Sequence, residues 1–291
     1  MQEAEWPPEM IGGMSNATDL LSAPAPTVGA PIPGAPAVTE EERYLFDLSG
    51  YLVVRDALTA GQVAVLNTIM DQRIRDEVDP TAGRHRFFGQ ETLLSWGQPY
   101  RDLIDHARIL PYLHEFIGGD PRLDHDYADI IRRGVGETGS LHGGHAPFDE
   151  CFFYAHRDGR IRCGLTVVAY NLQDVHPGDG GFGCVPGSHK ANFPLPPGWH
   201  NLDRPGDHVR AVAAPAGSAV IFTEALTHGT LPWRGAQERR TVFYKYSPRS
   251  ISWAATYYDQ RRFPGLSPRQ HAMLEPPNAR FPGRKVGIGH G

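Results

Sequence analysis

Two histidines, a glycine and an arginine mark where this chain could do chemistry. His142 stands in Ser140-Leu141-His142-Gly143-Gly144-His145, and His228 in Leu226-Thr227-His228-Gly229-Thr230. Arg239 follows eleven positions after His228. Two imidazoles and a carboxylate on one face are the ligand set of non-haem iron sites, which keep open positions for an organic acid and dioxygen. The carboxylate usually lies two residues after the first histidine, because positions i and i+2 of a strand share a face. Here that position is Gly144. A site lacking that side chain is short of one ligand and one negative charge, and chloride has the size and charge to replace both. Arg239 brings a planar guanidinium, which grips a carboxylate in a two-bond fork. His142 and His228 are therefore read as metal ligands, and Gly144 as the position that admits an anion.

Neighbouring residues leave alternatives open. His145 either lines the pocket against substrate or acts as a third histidine ligand. Asp149 or Glu150 could swing in as the carboxylate and restore an oxygenase. Gly144 is also compatible with a non-catalytic binding protein that keeps the fold. Arg240 takes the place of Arg239 if the strand register moves by one; adjacent strand residues face opposite sides, so only one of them can serve. His189, in a Pro-Gly-Ser-His turn, reads as structural. The chain has 14 histidines, so a ligand role is given only where spacing and neighbours agree.

The elements that must position these residues read as follows. Thr39 with Glu42 three positions later is a capping box that starts a helix, and Ser49-Gly50 ends it. Tyr51-Leu52-Val53-Val54 reads as a strand. A second helix follows Leu58-Thr59, with Val63, Leu66, Ile69 and Met70 at helical spacing. Residues 79–100 read as loop-rich, with Arg84-His85-Arg86 either solvated or an anion contact. Residues 101–117 are helical in period up to Gly118-Gly119. From about residue 122 the pattern turns to strands: Tyr127 to Arg133, Cys163 to Leu172, Ala219 to Phe222 and Thr241 to Tyr246. Short strands separated by Gly/Pro turns predict a sandwich or jelly roll.

Composition narrows the class. The 291 residues are 40% hydrophobic and 21% charged, with material for a sizeable core. A net charge of −5 and a pI near 6.3 speak against nonspecific binding to DNA, RNA or a membrane surface. No apolar run reaches the length of a membrane helix, and the first residues lack a secretion signal. Cys151, Cys163 and Cys184 are an odd set without zinc spacing, read as reduced thiols in a cytoplasmic protein. Residues 1–38, rich in Pro and Ala, read as a flexible arm. Residues 39–260 form the domain, and 261–291 a Pro/Arg/Gly-rich tail. Oligomeric state is not encoded in any of these features.

Taken together, Gly50-Tyr51-Leu52-Val53-Val54, the His142 stretch, the run from Gly180 to Lys190, and His228 with Arg239 resemble the phytanoyl-CoA dioxygenase family over roughly residues 45–250. The resemblance implies a double-stranded β-helix (a cupin-like jelly roll), mainly β with flanking helices. It implies Fe(II), 2-oxoglutarate and dioxygen as cofactors, with His142 and His228 on iron. Arg239 is then the partner of the 2-oxoglutarate carboxylate, and Thr230 a hydrogen-bond donor to it. Gly144 departs from the family pattern and is similar to the halogenase variant, in which chloride takes the vacated position. The implied activity is chlorination of an unactivated carbon in natural-product biosynthesis. Basic segments such as Arg157 to Arg162, with Arg132, Arg133 and Arg249, suit a small anionic substrate. An adenine deoxynucleotide such as dAMP, stacked among Phe148, Phe152, Phe153 and Tyr154, is the best match. The alternatives are a hydroxylase with an atypical third ligand and a binding protein on the same fold.

Overall fold

The computed structural model describes residues 36–88, 93–134 and 139–279. The N-terminal part follows the local signals closely. Helix α1 (Glu40–Ser49) starts at the Thr39/Glu42 capping box and closes at Gly50, which takes the left-handed φ of 81°. Strand β1 (Tyr51–Val54) follows, then α2 (Ala60–Glu77), opened by a second capping box between Thr59 and Gln62. The basic stretch expected in a loop is an edge strand, β2 (Arg84–Phe87). The expected helix over 101–117 is instead a short α3 (Gln98–Arg101) followed by α4 (Leu110–Ile117), with Pro99 and Pro111 in their first turns. Gly118 ends α4 in the left-handed region.

The strands then run β3 (Pro121–Ile131), β4 (Tyr154–Arg157), β5 (Arg160–Cys163), β6 (Thr166–Asn171), β7 (Gly181–Cys184), β8 (Arg210–Ala211), β9 (Ala219–Thr223), β10 (His228–Leu231) and β11 (Arg239–Pro248). The apolar run from Cys163 is broken at Gly164-Leu165, whose amides donate to the carbonyls of Phe153 and Cys151. Six strands form one antiparallel sheet in the order β1-β9-β6-β11-β3-β2. A second sheet is β10-β7-β8, and β4 pairs with β5 as a hairpin.

Side-chain alternation divides the large sheet into two apolar faces. Val168, Tyr170, Ile221, Val242 and Tyr244 pack outward against Leu66, Met70, Leu113 and Phe116 of the helices. Val167, Ala169, Val220, Phe222 and Phe243 point the other way and meet Phe182 and Cys184 of the small sheet. Two facing antiparallel sheets with helices on the outer side of one are the expected jelly roll. Part of the tail read from residue 261 also joins the core. Helix α5 (Pro268–Met273) lies there, and Phe263, Ala272, Met273 and Leu274 are buried. Most of the 1–38 arm and the end of the 261–291 tail lie outside the described residues. Among those described, no helix is long and apolar enough to cross a membrane.

Candidate metal centre

His142 and His228 stand side by side, His228 buried in the jelly roll and His142 exposed at its rim. His228 opens β10, and His142 faces it through an isolated antiparallel bridge. The two backbones exchange N–H to carbonyl bonds of 2.8 and 2.9 Å, and the rings stand 4.4 Å apart. Nδ1 of His142 lies 3.1 Å from the Ser140 carbonyl, and Nδ1 of His228 lies 2.7 Å from the Leu226 carbonyl. A carbonyl only accepts, so each Nδ1 carries the hydrogen and each Nε2 is left with a free lone pair. That tautomer is the one a metal takes, with the second nitrogen fixing the ring. Burial lowers the His228 imidazole to about 4, against the pull of Glu224, so the ring is neutral and ready to ligate.

A residue the sequence reading did not single out stands beside them. Glu224 lies in the turn between β9 and β10, and its side chain is buried. Oε2 is 3.8 Å from Nε2 of His228. Oε1 accepts a 2.6 Å bond from the ammonium of Lys245 on β11. Burial pushes the Glu224 carboxyl up, but Lys245, His228 and His142 outweigh it and hold it at about 2. A signal for it did exist: Glu224 is the only charged residue between Ala219 and Leu226. Among the described residues no three His, Cys, Asp or Glu side chains close around a metal by themselves. The two imidazoles and Glu224 form an open set, with one carboxylate oxygen drawn to Lys245.

Gly144 has a structural reason of its own. The chain leaves the His142 bridge through two left-handed glycines, Gly143 at φ 71° and Gly144 at φ 111°. The expectation that residues 142 and 144 share a strand face therefore does not hold, because the backbone is not extended there. A Cβ on Gly143 would stand 2.7 Å from the Glu224 carbonyl, and one on Gly144 would meet Thr227 Oγ1 at 3.0 Å. The Gly144 amide donates to that same Glu224 carbonyl at 3.3 Å. The glycines let the loop press against the turn that carries Glu224.

Other candidates fall elsewhere. Asp149 and Glu150 are exposed, and Asp149 accepts from the amides of Cys151 and Phe152 in a local turn. His145 lines a cavity of about 690 Å3 with Phe148, Tyr154 and Arg157, and neither His142 nor His228 borders it. His189 is structural, as expected: it is buried, and its Nε2 contacts the Asp47 carbonyl at 3.0 Å.

Arg239 enters the inner space from the start of β11. It is buried, and its Nε and Nη1 have no hydrogen-bond partner. Burial lowers this guanidinium to about 10, with Asp129 opposing. Gly181 makes room for it, since a Cβ there would stand 3.1 Å from Nε. Arg240 faces the other way and pairs with Asp71 and Glu238 at 2.7 and 2.6 Å, so of the two only Arg239 points into the inner space. Thr230 lies two residues beyond His228 on β10 and so on the same face. Arg84 and Arg86, the second of them exposed, both bind the buried Asp129, at 2.6 and 2.9 Å.

Beyond the centre lies a cavity of about 480 Å3, walled by Phe88, His125, Trp253 and Tyr257, with Arg262 at its edge. His125 is the cross-strand partner of Lys245, which links this cavity to Glu224. The rings of His125 and Trp253 stand 4.9 Å apart.

Facing sheets, paired imidazoles and a buried arginine with two unpartnered nitrogens are the features the comparisons must account for. The chain matches the family model for phytanoyl-CoA dioxygenase (PhyH) over residues 46–241 and belongs to that family of Fe(II)/2-oxoglutarate-dependent oxygenases. It is similar to HygX from Streptomyces hygroscopicus with nickel and 2-oxoglutarate bound. That likeness has 25% identity over 74% of this chain and 89% of that one, with a TM-score of 0.67. HygX with nickel, 2-oxoglutarate and hygromycin B bound matches at 26% identity, over 74% of this chain and 89% of that one, with a TM-score of 0.66. The epimerase SnoN in complex with Fe3+, alpha ketoglutarate and nogalamycin RO shares the fold. It matches at 17% identity over 72% of this chain and 84% of that one, with a TM-score of 0.53. A comparison with curated proteins returned no match.

Proposed function

We propose that this chain is an Fe(II)/2-oxoglutarate-dependent oxygenase that oxidises an unactivated carbon of a small organic molecule. The observation that carries this reading is the buried guanidinium of Arg239, unpartnered at Nε and Nη1, in a chain whose two paired imidazoles are each held at Nδ1 by a carbonyl, leaving Nε2 for a metal. A buried cation without partners is costly unless a ligand supplies them. His142 and His228 would hold the iron; Arg239, with Thr230, would take the distal carboxylate of 2-oxoglutarate. Bound there, iron and 2-oxoglutarate supply the conversion of C–H, dioxygen and 2-oxoglutarate to C–OH, succinate and carbon dioxide. The protein's own contribution is position. The Ser140 and Leu226 carbonyls fix the two rings, Gly181 admits the guanidinium, and the apolar inner face excludes water.

For substrate, the aromatic cavity beside His125 offers ring faces for stacking, with Arg262 set among the carboxyls of Asp124, Asp126 and Asp259. The hygromycin B complex of HygX supports a small-molecule substrate for a chain of this fold. Phe148, Phe153 and Tyr154, the expected stacking faces for an adenine nucleotide such as dAMP, line the separate His145 cavity, and dAMP is the first compound to test. Arg84 and Arg86 are engaged by Asp129 and are not assigned to the substrate anion.

A second reading, halogen transfer with chloride on the metal, has Gly144 in its favour. Against it, Gly144 is required by its left-handed backbone, and a buried carboxylate stands near His228 Nε2. Mass spectrometry of product formed with Fe(II), 2-oxoglutarate and dioxygen, with and without chloride, separates the two. Oxygen in the product at high chloride is the expected result, and chlorine would reverse the choice. A wild-type protein that binds neither Fe(II) nor 2-oxoglutarate in calorimetry would overturn both readings in favour of a binding protein.

A further inference from the structure

We infer that Glu224 is the acidic metal ligand of this chain, and that Lys245 is the positioning residue that sets it. The inference rests on the iron reading above and deepens it. Three independent features lead to it. The Glu224 carboxylate is buried, and one oxygen lies 3.8 Å from the nitrogen that His228 offers to a metal. Its other oxygen is pinned at 2.6 Å by Lys245, whose own side chain is largely buried. A monodentate carboxylate needs only one oxygen, so the pinned atom gives orientation and the second remains for the metal. The glycine loop then explains itself. Gly143 and Gly144 bring His142 against the Glu224 turn through contacts a side chain would block, and Gly144 donates to the Glu224 carbonyl.

The acidic ligand that the resemblance led us to expect two residues after the first histidine is thus supplied from the turn four residues before His228. The ligand set of two imidazoles and one carboxylate is kept. The ammonium of Lys245 offsets the desolvation of Glu224 and stops it from turning toward solvent. No exogenous anion is then needed at the metal, which favours oxygen transfer to the substrate.

The test uses the full chain with Mn(II), read by electron paramagnetic resonance, and Co(II), read by visible absorption. Glu224→Gln is expected to weaken Mn(II) binding roughly 10–100-fold, as lost ligand-shell groups do, and Glu224→Ala should regain binding on addition of acetate. The wild-type Co(II) spectrum should be unchanged by excess chloride. Lys245→Met should weaken Mn(II) binding less than Glu224→Gln, and Lys245→Arg should restore most of it, which a merely structural lysine would not require. Because a single change leaves one buried charge unpaired, the double variant Glu224→Gln/Lys245→Met is measured too; it removes both charges and should still bind Mn(II) weakly. Mn(II) affinity of Glu224→Gln within twofold of wild type would overturn the inference, as would a wild-type Co(II) spectrum that shifts with chloride. A wild type that binds Mn(II) and 2-oxoglutarate normally alongside such a result would leave the oxygenase reading standing and sink the Glu224 assignment alone.

Discussion

At the scale of single residues, Arg239 shows how a site is prepared at the expense of the fold. Its Nε and Nη1 are buried without partners, whereas Arg240 next to it is fully engaged by Asp71, Glu238 and Asn67. Arg239→Lys should weaken 2-oxoglutarate binding by roughly 10–100-fold, because a point charge replaces a two-bond fork. Arg240→Lys should leave that affinity unchanged, and calorimetric titration of both variants checks the contrast. Gly144 yields a second prediction. Since φ is 111°, Gly144→Ala and Gly144→Asp should both destabilise the chain by about 1–2 kcal/mol in urea unfolding. An aspartate there is not a simple restoration of the missing ligand. Matching losses for the two variants support a backbone cause; a loss confined to Asp contradicts it.

At the scale of elements, the site is held by turns rather than by long ladders. Gly50 closes α1, and its α-carbon lies under the His189 ring: a Cβ would stand 2.5 Å from Nδ1 and 2.9 Å from Leu226 Cδ1. The 185–190 turn also reaches the Glu224–His228 segment, through the Val185 amide to the Thr227 carbonyl and the Thr227 amide to Ser188 Oγ. Gly50→Ala should therefore destabilise by about 2–4 kcal/mol, from left-handed strain plus overpacking. It should also weaken Mn(II) binding, because Leu226 carries the carbonyl that orients His228. Thermal unfolding and Mn(II) titration read the two effects separately. Helix ends of this kind were legible in the chain, since a capping box or a closing glycine is a signal of a few residues. The split of 101–117 had a signal in Pro111 at the start of α4, whereas the strand at Arg84 had none, because it forms by pairing with the distant β3.

At the scale of the whole molecule, buried ionisable groups set an opposed pH response. Burial pushes the Asp126 carboxyl up to about 6, although Tyr258 and the Leu93 amide donate to it. From 3.8, its ordinary value, to about 6 the folded chain keeps a proton the unfolded chain has lost, so this group's stability contribution falls as pH rises through that window. His189 works the other way. Burial lowers it from 6.5 to about 4, so stability is lost as pH falls through that range. Asp126→Asn removes the first effect alone. Its acid-side loss between pH 6 and 4 should be steeper than wild type by up to about 3 kcal/mol in urea unfolding. Equal slopes would mean that Asp126 is ionised throughout.

The chain by itself determined the jelly-roll class and the helix caps, and it singled out His142, His228 and Arg239 as candidates. Each rests on local spacing or on side-chain periodicity, which any folded context must respect. Only the tertiary structure decided which carboxylate stands near the imidazoles, what Arg84 and Arg86 neutralise, and that His145 lies in a different cavity. Those outcomes come from strands far apart in the chain laid side by side, as when β9 and β11 flank β6 and bring Glu224 to Lys245. Burial then makes such pairings strong, because a charge removed from water must find its partner within the fold.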